Sequence, residues 1–155
     1  MIVFIGILCT PIVLLLLRFW DIHRRAVALQ RSVQRTHHVF RHVALDIKHH
    51  LPADAVKGMG NYTWADVIVD NDAVILFGYT PRFGKKIYGR PITINRDTRV
   101  MNYASNLYNS VLHRVKINSP YIDLEVKNRS HEANVNIRLK SNDLAHSLNS
   151  LNVAL

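Results

Sequence analysis

Cysteine occurs once in the 155 residues, at Cys9, so the chain forms no intrachain disulfide and is compatible with a reducing compartment. Patterns that mark common chemistries are missing too. No G-x-S-x-G, phosphate loop or H-E-x-x-H occurs, and the lone thiol lies in an apolar segment. The sequence therefore offers no catalytic residue, no metal site and no cofactor, and the expectation is a protein that acts by binding rather than as an enzyme. Internal repeats and low-complexity tracts are absent. Acidic residues are scarce, 11 Asp and Glu against 20 Lys and Arg, for a net charge of +9. The most informative absence is positional: no charged side chain precedes Arg18.

A charge-free run from Met1 to Leu17 reads as a membrane anchor. Seventeen helical residues rise about 25 Å, slightly less than a hydrocarbon core of about 30 Å. Phe19 and Trp20 extend the run at headgroup level and Arg18 snorkels its charge to water, so residues 1–20 are assigned to the anchor, with Arg18, Phe19 and Trp20 at its edge. Pro11 bends such a span only slightly. A cleaved signal fits poorly, because no basic region precedes the run and no small-residue cleavage site follows it. A core helix of a soluble domain is the remaining reading of so short a run. Residues 18–50 hold seven basic side chains against Asp21 and Asp46, net +5. By the positive-inside tendency the rest of the chain faces the cytoplasm, or the mitochondrial matrix, and anionic membrane lipid is an expected partner.

Residues 21–51 read as one basic juxtamembrane helix continuing the anchor. Ile22, Ala26, Leu29, Val33, Thr36, Phe40, Val43 and Ile47 recur at gaps of four and three, a heptad seam with one polar break. Such a seam either pairs with a second copy or a protein partner through the 22–47 helix, or folds back onto the chain's own domain or the membrane interface. His38, His42 and His49 share one face of this helix with Asp46, yet nothing there resembles an established metal motif.

Residues 52–61 read as a hinge punctuated by Pro52, Gly58 and Gly60. Beyond it the period changes to two. Ala65–Val69 and Ala73–Tyr79 flank the turn Asp70-Asn71-Asp72, and Lys86–Asn95 gives a strand weakened by Gly89 and Pro91. Val111, His113, Val115 and Ile117 alternate with polar neighbours and place His113 on an apolar face. Ile122, Leu124 and Val126, then Ala133, Val135, Ile137 and Leu139, complete a meander with one wet face. Asn142 or Asp143 caps a closing amphipathic helix with Leu144, Leu148, Leu151 and Leu155 along one stripe. Thr98–Ser110 reads as a short helix or a structured loop.

The class is therefore α+β: a transmembrane helix continuing into a long basic helix, then an antiparallel β-domain over residues 62–155 closed by a C-terminal helix. About six short strands followed by one amphipathic helix resembles the pleckstrin-homology-like superfold, including its bacterial and GRAM-type members. That resemblance rests on element order. It implies a binding domain whose ligand is a phosphoinositide in some members and a protein in others. The basic pattern ending K/R-x-R of the lipid-binding members is not reproduced by Lys86-Ile87-Tyr88-Gly89-Arg90. Arg82, Lys85, Lys86 and Arg90 nevertheless interleave with Tyr79, Phe83 and Tyr88, and Gly78, Gly84 and Gly89 would let backbone approach an anion. Nucleic acid is a poor match, since no recognition signature for it occurs. The expected function is a single-pass, membrane-tethered binding or scaffold subunit, or alternatively a peripheral sensor of anionic headgroups through the basic loop.

Overall fold

The computed structural model describes residues 2–34, 37–49, 62–70, 73–95, 108–128 and 134–150. The chain is α+β, with α1 (Ile2–Val33) leading into β1 (Val39–His49), β2 (Trp64–Val69), β3 (Ala73–Arg82), β4 (Lys85–Tyr88), β5 (Ile92–Asn95), β6 (Tyr108–Asn118), β7 (Tyr121–Asn128) and β8 (Asn134–Lys140), and closing on α2 (Asn142–Ser150). The expected hinge, residues 52–61, lies outside the described residues, and so does most of Thr98–Ser110.

Period-two alternation makes one face of each strand apolar, and the sheet buries that face by curling on itself. Strand order is β2-β1-β8-β7-β6-β5-β3-β4, and β2 also pairs with β3, which joins the two ends. Strands β4 and β5 pair successive halves of β3 and act as one strand interrupted at Gly89–Pro91. The result is a closed ring in which, among the described residues, β4 and the Leu112–Asn118 part of β6 are paired on one side only. All neighbours are antiparallel except β5 and β6. A first meander, β1 to β5, is thus joined to a second, β6 to β8, through the β8–β1 pairing.

Val43, Leu45, Ala65, Val67, Leu76, Ile94, Leu124 and Ile137 point into the ring and are all less than 7 % exposed. Leu144, Ala145 and Leu148 of α2 join this core, so the helix plugs the ring with the first half of its apolar stripe; Leu151 and Leu155 lie outside the described residues. Its cap is Ser141 rather than Asn142 or Asp143: the Ser141 hydroxyl accepts the Leu144 N–H at 3.3 Å.

The long 21–51 helix is not formed. Helix α1 stops at Val33, and Val39–His49 is a strand. Its first half pairs with β2 and its second half with β8, so β1 turns the corner between the two meanders. Two ladders of backbone hydrogen bonds outweigh a helix that would have carried β-branched Val39, Val43 and Ile47. The seam is also absorbed within the chain. Leu29 and Val33 pack with Ile68, Ile75 and Phe77 on the outside of the ring, and Ala26 is 1 % exposed. Phe40, Val43 and Ile47 face the interior from β1. The proposed association residues Ile22, Ala26, Leu29, Val33, Phe40, Val43 and Ile47 therefore form no single exposed stripe.

Candidate functional site

The most concentrated chemistry lies where α1 packs on β2, β3 and β4, around a carboxylate. Asp66 sits mid-strand between Ala65 and Val67, and alternation turns its side chain outward, beneath the helix, where the residue is 1 % exposed. Four residues donate to it. Gln30 Nε2 lies 2.9 Å from Oδ2 and the Tyr88 hydroxyl 2.6 Å from the same oxygen. Lys86 Nζ reaches both oxygens, at 2.8 and 2.9 Å. The fourth donor is the His42 backbone N–H, 3.2 Å from Oδ1.

That last contact depends on a bulge. Pairing between β1 and β2 shifts register between Phe40 and Val43, and within the bulge His42 adopts φ 57°. The left-handed backbone aims the His42 N–H at Asp66 instead of at a ladder carbonyl. The His42 ring then lies with Nδ1 2.7 Å from the Tyr79 hydroxyl. Lys86 Nζ also stands 4.6 Å from the centre of the Tyr79 ring.

Burial raises the Asp66 pKa, but donation from Lys86, Tyr88 and the His42 N–H overrides it, and the net shift is below the ordinary carboxylate value. Burial and the Asp66 charge push Tyr79 up to about 12, and burial followed by the bond to Asp66 raises Tyr88 as well. A carboxylate saturated with donors is held ionised and closed, which suits a lock between helix and ring better than a proton acceptor.

The lock continues toward the apolar half of α1. His23 Nδ1 accepts the Tyr88 N–H at 3.1 Å, and the two rings stack with centroids 6.0 Å apart. Trp20 follows at 6.2 Å from His23. From there outward the described side chains are exposed: Ile12, Val13, Leu14, Leu15, Leu16 and Leu17 are 51–64 % exposed, and Phe19 and Trp20 are each 68 % exposed. Consecutive residues on a helix point in all directions, so this is a bare apolar rod and not a stripe. Among the described residues no helix is long and apolar enough to cross a membrane; the side chains of the run Met1–Leu17 are described only from Pro11 onward.

The expected anion loop is divided by this arrangement. Arg82 and Lys85 are exposed at the β3–β4 turn, Lys86 is turned onto Asp66, and Arg90 is half-buried and engaged in an interaction of its own. Nor do Gly78 and Gly89 serve a ligand. A Cβ at Gly78 would meet Tyr62 Cδ2 at 2.6 Å, and one at Gly89 would overlap the Tyr62 hydroxyl, so the two glycines make room for that ring. His113 is also displaced: the β6–β7 register shifts between Leu112 and Arg114, leaving His113 bulged and exposed while Leu112, Val115 and Ile117 face the core.

A second polar surface covers the outer face of β6, β7 and β8. Arg114, Lys116, Asp123, Glu125, Asn136 and Arg138 line an open depression of about 280 Å³. Pairing sets Arg114 opposite Glu125 and Lys116 opposite Asp123, and Arg138 donates to Asp123 at 2.6 and 3.1 Å. Among the described residues no cluster of three or more His, Cys, Asp or Glu could hold a metal ion.

Sequence reasoning did not single out Asp66, Gln30 or His23, and it placed His42 on a helix face rather than in a strand bulge. One signal was available for Asp66: a lone carboxylate inside the apolar run Ala65–Val69 must find a donor, and buried charges are paired. Its partners come from positions 20 or more residues away, which no local pattern reveals. Comparison with protein families, with curated proteins and with solved structures finds no match to this chain.

Proposed function

We propose that the chain is a membrane-tethered binding module in which α1 anchors a small β-barrel and fixes its pose above the bilayer. The observation that carries this reading is the division of one continuous helix. Residues 12–17, with Phe19 and Trp20, present apolar side chains in every direction, and the later part is bolted to the barrel through Ala26, Gln30 and Val33. At about 1.5 Å per residue, the 32 residues of α1 make a rod of about 48 Å, long enough to enter a bilayer at one end and hold a domain at the other. Net positive charge just past Trp20 favours the side with the cytoplasm or matrix.

A tether with an internal lock supports a scaffold role, because a partner meets the barrel in one orientation. In the ring β7 is the strand farthest from the β2–β3 boundary on which α1 lies, so the charged face of β6–β8 points away from the helix. Its alternating signs suit a protein surface with the complementary pattern better than a polyanion. The first meander, the three-stranded second meander and the plugging helix α2 also support the pleckstrin-homology-like reading, whose members include protein binders.

Alkaline carbonate extraction of the full chain tests the tether: retention in the pellet is expected, and quantitative release overturns it. Mild-detergent purification from the native cell tests the scaffold role. A co-purifying protein should be lost in the charge-reversed variant Arg114→Glu/Arg138→Glu and kept in Arg82→Ala/Lys85→Ala. The opposite pattern moves the binding face to the hairpin.

A further inference from the structure

We infer that the tip of the β3–β4 hairpin is a second membrane contact, inserting Phe83 into the leaflet that holds α1 while Arg82 and Lys85 meet lipid phosphates. This deepens the tether reading and rests on it. Two features of the turn break local rules. Phe83 and Gly84 have φ of 49° and 70°, a two-residue turn of the type that favours Asn or Gly at its first position, yet a bulky aromatic stands there fully exposed. Arg82 and Lys85 are register partners, so two like charges face each other directly across the strands. Such a pair is unfavourable in water and becomes favourable beside phosphate. Neither feature helps the hairpin fold, and both suit a loop that enters an anionic interface with an apolar point and flanking cations.

The placement of α1 gives the depth. Going up the helix from Val33 to Gln30 to His23, the contacts move from Ile75, to Asp66 opposite Phe77, to Tyr88 opposite Tyr79. Ten helical residues advance about 15 Å and four strand residues about 13 Å, so α1 and β3 run side by side with their axes nearly aligned. The hairpin tip and the bare half of α1 therefore lie toward the same end. Phe83 is four residues past Tyr79, roughly 13 Å, whereas Trp20 and Phe19 are only about 5 Å past His23. With the aromatic collar at headgroup level, the Phe83 ring lies roughly 8 Å deeper, beside Leu14 and Leu15, within the depth at which interfacial apolar groups are buried. Ile87, 41 % exposed on the same hairpin, widens the apolar contact.

The test places a single tryptophan at the tip of the full chain, Phe83→Trp with Trp20→Phe and Trp64→Phe, reconstituted in vesicles of mixed zwitterionic and anionic lipid with brominated acyl chains. A companion chain keeps only Trp20. Blue-shifted emission from position 83, quenched by bromolipid and protected from aqueous iodide, is expected, with weaker quenching when Arg82 and Lys85 are Ala. If Trp20 is quenched by bromolipid and position 83 is quenched only by iodide, the hairpin stays in water and the inference is overturned while the tether stands. If neither responds to bromolipid, the tether reading falls and takes the inference with it. Should the tryptophan variant fail to fold by circular dichroism, a nitroxide at Lys85→Cys in a Cys9→Ser background gives the same decision. Greater relaxation by oxygen than by a water-soluble nickel chelate supports insertion, and the reverse order refutes it.

Discussion

Replacing Lys86 by Ala isolates the lock that holds helix to barrel. The Asp66 side chain is 2 % exposed and that of Lys86 26 %, so removal of the ammonium leaves a carboxylate that water reaches only through the space vacated. Breaking a fully buried pair costs about 3–5 kcal/mol; partial exposure of Lys86 and the three donors that remain on Asp66 place the expected loss near the lower limit, about 3 kcal/mol. For a chain of this length that corresponds to a midpoint lowered by about 6–12 °C. Urea or thermal unfolding of the full chain in detergent measures it, beside Asp66→Asn and the double variant. Loss of both charges removes the uncompensated carboxylate, so the double variant should be more stable than the sum of the singles by about 1–3 kcal/mol. Lys86→Ala should also shift the acid transition upward. The Asp66 pKa is depressed in the fold, so its contribution is complete above about 3.8 and disappears as pH falls through the lower folded value. Without Lys86, burial raises that folded value, and the loss begins at higher pH. Stability within about 0.5 kcal/mol of the parent, or strict additivity in the cycle, would refute the assignment of Asp66 and Lys86 as a coupled lock.

Val33→Asp should destabilise the chain by about 2–4 kcal/mol by placing a carboxylate against Ile68, Ile75 and Phe77, with no change in molecular mass by light scattering; a shift to a smaller species instead would restore the seam as an association surface. Gly89→Ala should lower the unfolding midpoint by displacing the Tyr62 ring, and Tyr62→Ala should relieve most of that additional loss; equal effects of Gly89→Ala in both backgrounds would show that the ring is not the obstacle. At high pH the sign reverses from that of Asp66. Tyr79 ionises near 10 when unfolded and at about 12 in the fold, so stability is complete below 10 and falls between 10 and 12 as the unfolded chain loses its proton first. Tyr79→Phe should shallow that decline in a pH series of urea midpoints, and an unchanged slope would mean that Tyr79 is not held protonated by the fold.

Much of the barrel was legible because period two survives wherever a strand is regular. Ile122, Leu124 and Val126 all face the core as alternation requires, and so do Val135, Ile137 and Leu139. Lys86–Asn95 broke at Gly89–Pro91 as its composition indicated. The basic loop misled because a run of cations says nothing about which face each one takes. Lys86 lies on the helix side of its strand and meets Asp66, whereas Lys85 points the other way at the turn.

The larger misreading has a single geometric origin. In β1 the residues that face the interior are Phe40, Val43, Leu45 and Ile47, at gaps of three, two and two. The gap of three is the bulge at His42, and it places 40, 43 and 47 in phase with the seam of the preceding true helix. The same insertion in β6 displaces His113 and separates Leu112 from Val115 by three. A single extra residue in a strand is thus locally indistinguishable from a turn of helix when apolar spacing alone is counted. What distinguishes them is tertiary: a helix through 39–49 would leave β2 and β8 with open edges, and the ring could not close. The bulge that hid the strand also aims the His42 N–H at Asp66, so the irregularity least visible in the sequence is the one that joins the tether to the barrel.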